Sequence, residues 1–207
     1  MDYKTEQESF WAGSFGDEYI QRNKTDKLEK SNAVFFSKVL QRTTGITTSL
    51  EFGSNIGLNL KALHYLDPSI KLSAIEINAD AIKELSELEY LDKIHHHSIL
   101  DFEPKDCIWD MVFIKGVLIH INPEYLPVVY EKLYNCSSRY VLVAEYYNPT
   151  PMEINYRGHA GKLFKRDFAG ELLDKYSDLT IVDYGFVWRR DPNFPQDDMT
   201  WFLLEKK

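Results

Sequence analysis

The chain has 207 residues, 44% hydrophobic and 14% aromatic, which suits one domain and excludes a globally disordered protein. A chain of this length buries roughly 70% or more of its unfolded surface. With 32 acidic and 24 basic residues it carries a formal charge of −8 and a pI near 5.3. That balance argues against nucleic acid as the main partner, since such binding draws most of its affinity from a basic face. The N-terminal residues Met1 to Glu6 lack the apolar stretch of a signal peptide. No apolar run approaches the ~20 residues that span a bilayer. Cys107 and Cys136 form neither a disulfide framework nor a metal-ligand spacing, so two reduced thiols in a cytoplasmic protein are expected.

In chain order, residues 17–42 read as one or two helices, with Leu28, Val34, Phe35, Val39 and Leu40 at helical spacing. Thr47 to Phe52 is a short strand that ends at Gly53. Ile56 to Leu66 is helical and stops at Pro68. Lys71 to Ile77 is the second strand, and Ala79 to Leu88 a helix that Asn78 or Asp80 can cap. Lys93 to Leu100 reads as the third strand. Its His95-His96-His97 run alternates between sheet faces and cannot converge on one ion, so no metal site is expected. Trp109 to Ile114 is the fourth strand. Pro123 fits the first turn of a helix that runs to about Tyr134. Arg139 to Ala144 is the fifth strand, followed by a polar, proline-containing loop from Tyr146 to about Leu163. Phe164 to Tyr176 is helical, and Leu179 to Val187 and Met199 to Leu204 are the last strands. The connection Asp191 to Asp198 is too short for a crossover helix, so those two pair as an antiparallel hairpin.

The order βαβα implies a mostly parallel sheet with helices on both faces. Ligands of such sheets bind beyond the carboxyl ends of the strands, near the topological switch point. There strand one ends in Glu51-Phe52-Gly53-Ser54-Asn55-Ile56-Gly57 and passes directly into a helix. The glycines allow a sharp turn and close approach of a ligand. Glu76, with Ile77 beside it, stands 19 residues after Gly57, where a carboxylate can accept both hydroxyl protons of an adenosine ribose. The dinucleotide pattern G-x-G-x-x-G is absent, because Asn55 takes the place of the middle glycine. A pyrophosphate favours that glycine, whereas S-adenosylmethionine carries no phosphate and tolerates a side chain. The methyl donor is therefore the expected cofactor, with NAD as the weaker alternative. Ser98 and Ile99, at the end of strand three, suit the edge and face of an adenine.

The whole chain resembles the pseudaminic acid biosynthesis-associated methylases, a family within the class I methyltransferases. The likeness is carried by Phe10-Trp11-x-Gly13-x-Phe15-Gly16-Asp17-x-Tyr19-Ile20-x-Arg22-Asn23 and by Glu51 to Leu60. It continues through Lys115-Gly116-Val117-Leu118-Ile119-His120-Ile121-Asn122-Pro123, Ala144 to Pro149, Tyr156 to His159, Leu163 to Glu171 and Asn193 to Lys206. The resemblance implies a Rossmann-like seven-stranded sheet with a C-terminal antiparallel hairpin. It also implies a role in making or modifying a nonulosonic acid, and it sets the methionine part of the cofactor against Lys115, Gly116 and Val117. Residues 1–45 are expected to form a helical cap or lid and 46–207 the cofactor-binding domain. Within the cap, Trp11, Tyr19 and Arg22 lie over the cofactor; Tyr19 and Arg22 share a helix face.

For the acceptor, His120 past strand four is the first choice of general base, since an ordinary imidazole pKa of ~6.5 suits proton uptake near neutrality. Glu145 at the end of strand five is the second candidate. Tyr146, Tyr147, Tyr156, Arg157 and Lys162 form a basic-aromatic cluster suited to an anionic sugar, because arginine holds a carboxylate or phosphate through two parallel bonds. The expected partner is a small sugar acid, free or nucleotide-activated, with no membrane association. A methyltransferase for another small acid or amine, or a silent methyltransferase-like binding domain, stays open.

Overall fold

The runs Met111 to Ile114 and Val141 to Ala144 are too continuously apolar for either face to meet water, and each lies in a strand covered on both sides. The computed structural model describes residues 2–23, 26–103 and 108–207, so Cys107 falls outside the described residues. Three helices come first: α1 (Glu6–Ala12), α2 (Ser14–Asn23) and α3 (Asp26–Leu40). Then follow β1 (Thr48–Phe52), α4 (Leu58–Leu66), β2 (Lys71–Glu76), α5 (Ala79–Ser86), β3 (Leu91–His96) and β4 (Trp109–Lys115). Two 3₁₀ turns, Leu118–His120 and Pro123–Tyr125, lead into α6 (Leu126–Cys136) and β5 (Ser137–Glu145). The chain closes with β6 (Met152–Tyr156), β7 (His159–Lys165), α7 (Phe168–Lys175), β8 (Leu179–Val187) and β9 (Met199–Lys206).

The seven-stranded sheet has the order β3-β2-β1-β4-β5-β9-β8. Its first five strands are parallel, and β9 runs antiparallel to both β5 and β8, as the short connection between the last strands requires. The strand order reverses between β1 and β4, which pair directly with Glu51 opposite Phe113. One core, on the α6 and α7 side, gathers Phe52, Ile114, Leu133 and Phe168. The other, on the α3 and α4 side, gathers Phe35, Phe36, Val39, Leu60 and Phe113. Phe36 meets Phe113 edge-on at 5.2 Å. Each such buried side chain contributes about 1.5–3 kcal/mol. Helix α3, expected in the cap, thus belongs to the layer that covers the sheet.

Four parts of the chain depart from the sequence reading. The expected loop 146–163 is largely a two-stranded antiparallel hairpin, β6–β7, turning at Arg157 and Gly158 with φ of 50° and 89°. Its last strand takes up Leu163 to Lys165, so α7 begins only at Phe168, where Asp167 accepts the Gly170 amide at 2.9 Å. Strand three ends at His96 rather than Leu100, because the Ser98 hydroxyl accepts the Leu100 amide at 3.0 Å and turns the chain. Helix α1 starts earlier than any helix expected there. Thr5 and Glu8 form a capping box across its first turn.

Candidate active site

Beyond the carboxyl ends of β1 and β4 the glycine turn forms one wall of a cavity of about 590 Å³, within the range of small-molecule sites. Gly53 has φ of 77°, and a β-carbon there would lie 2.7 Å from a methyl group of Val117. This close approach lets the β1 turn and the loop after β4 border the same space. Asn55 also takes a left-handed φ of 47°, a conformation asparagine tolerates better than most residues.

Glu76 ends β2 at the cavity rim. Its carboxylate accepts the amides of Asn55 (2.7 Å), Ile77 (2.8 Å) and Asn78 (2.8 Å). Burial pushes this carboxyl above its ordinary pKa, and the three amides pull against that shift. Ile77, His97, Ser98, Ile99 and Leu100 continue the wall. Helix α1 closes this end: the Ser98 hydroxyl donates to Glu8, and Lys4 pairs with Asp101 at 2.5 Å. Helix α2 is tied to the same rim through Asn78, whose amide donates to the Trp11 carbonyl (3.2 Å) and to Asp17 (2.8 Å).

Lys115, Gly116 and Val117 follow β4 along the opposite wall. The Lys115 ammonium lies 3.4 Å from Asn32 Oδ1 and 5.9 Å from the centre of the Phe35 ring. Burial lowers its pKa, opposed by the charges of Glu51, Asp197 and Glu145. Glu51 accepts from the Asn59 amide at 2.6 Å, and burial pushes its carboxyl up to about 8. Asn32, Asn59 and Leu28 add to this wall, as does the β8–β9 turn through Arg189, Gln196 and Asp197.

His120 borders the same cavity, its ring 4.5 Å from Trp11 and 4.9 Å from Tyr156. Its Nδ1 lies 2.6 Å from the Lys162 carbonyl oxygen. A carbonyl only accepts, so Nδ1 carries the proton and Nε2 keeps its lone pair. Burial lowers the pKa of this ring to about 4. The ordinary imidazole value assumed from the sequence does not apply, because no carboxylate offsets the desolvation. Tyr146, Tyr156 and Arg157 also line the cavity. Burial and the neighbouring Asp197 both raise the pKa of the Tyr146 phenol.

The structure brings Trp11, Tyr19, Arg22, Gly53, Ser54, Asn55, Glu76, Ile77, Ser98, Ile99, Lys115, Gly116, Val117, His120, Tyr146, Tyr156 and Arg157 to one cavity. Six expected site residues lie elsewhere. Phe52 is buried in the α6 and α7 core beside Phe102, and Glu51 is buried behind the turn against Asn59. Gly57 opens α4, and a β-carbon there would meet methyl groups of Leu85 and Leu88 at 2.9 Å, so its role is packing. Glu145 spends both oxygens on the amides of Val117 (2.9 Å), Leu118 (2.9 Å) and Ile119 (3.4 Å), which makes it the anchor of the β4 loop rather than a group facing an acceptor. Tyr147 points outward, half-exposed. The Lys162 ammonium pairs with Glu6 at 3.1 Å, and only its backbone serves the site. The sequence reading missed Thr5, Gln7 and Glu8, although the Thr5-x-x-Glu8 spacing was there to be read, and Asn32, Asn59 and Asp197, which nothing local marks.

The residues present suit an adenosylated amino acid. Trp11 Nε1, Asn55 Oδ1 and Asn59 Oδ1 are buried, lack a hydrogen-bond partner among the described residues, and belong to residues that border the cavity. A ligand bearing hydroxyls, ring nitrogens, an ammonium and a carboxylate offers partners of both kinds.

No protein-family model matches the sequence, and no curated protein matches it either. Solved structures do match in shape along nearly the whole chain. A SAM-dependent methyltransferase from Leishmania major superimposes with a TM-score of 0.72 at 15% identity, over 96% of this chain and 81% of that one. The 1,6-didemethyltoxoflavin N1-methyltransferase of Burkholderia thailandensis, solved with bound 1,6-didemethyltoxoflavin and S-adenosylhomocysteine, gives 0.71 at 12% identity over 97% and 87%. The magnesium protoporphyrin IX methyltransferase of Synechocystis, solved with bound SAM, gives 0.67 at 10% identity over 100% of both chains. The shared property is the fold, that of the class I methyltransferases.

Proposed function

We propose that the chain is an S-adenosylmethionine-dependent methyltransferase acting on a small anionic sugar or sugar nucleotide of the nonulosonic acid type, in surface-glycan biosynthesis. One observation carries this reading. A single cavity is bordered both by the Gly53–Asn55 turn with the Glu76 carboxylate and by His120, Tyr146, Tyr156 and Arg157. The first group suits an adenosine, and the second suits an acceptor with hydroxyls and a negative charge. The pseudaminic acid methylase resemblance supplies the sugar class. The protein's net negative charge supports a small-molecule acceptor over nucleic acid, in a cytoplasmic enzyme.

When bound, the cofactor supplies an electrophilic methyl group: the acceptor's oxygen or nitrogen bonds to that carbon as its bond to sulfur breaks, releasing S-adenosylhomocysteine. Glu76, the Ser98 segment and the Lys115–Val117 loop hold the donor, and α1 with α2 exclude water as a lid. Alignment of nucleophile, carbon and sulfur supplies much of the acceleration. Nε2 of His120 receives the proton of an acceptor hydroxyl. With a pKa of about 4 it does so late, once bond formation has acidified that hydroxyl.

Calorimetry tests the donor half: no binding of S-adenosylhomocysteine at millimolar concentration rules out the enzyme reading. Mass spectrometry of a panel of nonulosonic acids and their nucleotide-activated forms tests the acceptor half, through a donor-dependent gain of one methyl group. If only other small acids or amines gain mass, the sugar assignment fails and the methyltransferase assignment stands. Arg157→Ala is expected to raise the acceptor KM about tenfold with kcat nearly unchanged. An unchanged KM moves the anion site away from β6–β7.

A further inference from the structure

Strand β8 is an edge: it pairs with β9 on one side and with no other strand among the described residues. Aromatic side chains alternate along it. Tyr184, Phe186 and Trp188, the next residue of that alternation, are 66%, 58% and 47% exposed. They stand on one sheet face. The Tyr184 ring stacks on Phe202 of β9 at 6.0 Å, and Tyr147, 42% exposed, extends the row at 6.5 Å from Phe202.

We infer that this aromatic face is the contact surface between two copies of the chain, packed against its counterpart about a two-fold axis. Taking ~200 Å² for a whole aromatic side chain, the four exposed rings leave roughly 430 Å² of apolar surface uncovered. One side of a standard interface buries about 800 Å², a little over half of it apolar, or about 450 Å². The patch therefore supplies the apolar share that a stable dimer needs. Charge points to a second copy rather than an unrelated partner. On a molecule of net charge −8 the stretch Leu179–Val187 holds one charged residue, Asp183. That carboxylate is engaged within its own chain by Arg42 Nε (2.9 Å) and the Tyr184 amide (2.9 Å). Two copies meeting here bring no unpaired carboxylates together, whereas like charges elsewhere on this acidic surface would repel. The strand also lacks the lysine or proline that commonly blunts an exposed edge. A patch that packs on its own copy about a two-fold axis is self-complementary and closes at two copies.

The test is the solution mass of the full chain, by light scattering and sedimentation at ~10–100 µM. The expected species is twice 24.2 kDa. Phe186→Lys is expected to weaken association by roughly 30-fold or more, the size of losing one buried aromatic anchor. Tyr184→Ser is expected to weaken it in the same direction. Circular dichroism melts confirm that each exposed-site variant stays folded. A monomer at 100 µM overturns the inference and leaves the patch to a different partner. A dimer unchanged by both substitutions overturns it too, by placing the contact elsewhere.

Discussion

If His120 is held neutral by burial, its loss should change how stability responds to pH, and the size follows from its environment. The pKa of about 4 lies below the ordinary imidazole value of 6.5. Between those values the unfolded chain therefore binds more protons at this site than the folded one. Stability rises with pH across that window, is complete above about pH 7, and is progressively lost on acidification. Between pH 8 and pH 5 the lost contribution is about 2 kcal/mol, at 1.36 kcal/mol per pKa unit. His120→Gln removes the titration, while its amide can still donate to the Lys162 carbonyl. Urea unfolding of both proteins at pH 8 and pH 5 measures the effect. Glu51 and Glu145, whose raised pKa values act with the opposite sign, titrate in both proteins and cancel in the comparison. The stability gap between parent and variant should shrink by about 2 kcal/mol at the lower pH. A gap that stays constant, or that widens, refutes a buried neutral imidazole and with it the proton-acceptor role.

Glu145→Ala should cost at least about 2–4 kcal/mol, because three amides of the β4 loop lose their acceptor in a buried setting. A chemical denaturation midpoint close to the parent's would show that the loop does not depend on this carboxylate. Gly53→Ala should destabilise by about 1–2 kcal/mol for its left-handed backbone alone, with more from the methyl group of Val117 at 2.7 Å. Adding Val117→Ala should relieve the contact but not the backbone penalty, which gives a coupling of about 1 kcal/mol in a double-mutant cycle. Strict additivity would place the strain elsewhere.

The central sheet was legible because burial on both faces writes a strand as an uninterrupted apolar run, as at Met111 to Ile114. The closing hairpin was legible from chain length alone, since the connection Asp191 to Asp198 cannot carry a crossover. Glu76 was legible because its distance from the glycine turn is set by one helix and one strand. The residues beside the turn were not. Glu51 and Phe52 precede the point where the chain leaves the sheet, so they are buried within the fold rather than at the cavity. The hairpin β6–β7 carries the alternation Met152, Ile154, Tyr156, but Pro149, Pro151, Gly158 and Gly161 around it read as loop. Helix α1 is short, and partners remote in sequence hold it: Gln7 donates to the Gly161 carbonyl at 2.7 Å, and Glu8 accepts from Ser98. Such contacts leave no local pattern. The same holds for the bond that sets the His120 tautomer, which comes from a backbone atom 42 residues away.

That bond has an evolutionary consequence. Because a main-chain carbonyl of β7 orients His120, the side chain at position 162 and the tip residues beyond Tyr156, whose ring packs on the imidazole at 4.9 Å, can change without altering that bond. Tyr156 and Arg157 stand at that tip and border the cavity. On the proposed function, the hairpin would act as an exchangeable cassette through which acceptor preference could change while the backbone bond to His120 is kept. Grafting the tip segment 157–160 between homologues, with Tyr156 kept against His120, should on that function move acceptor choice and leave the acid limb of the pH profile where it was.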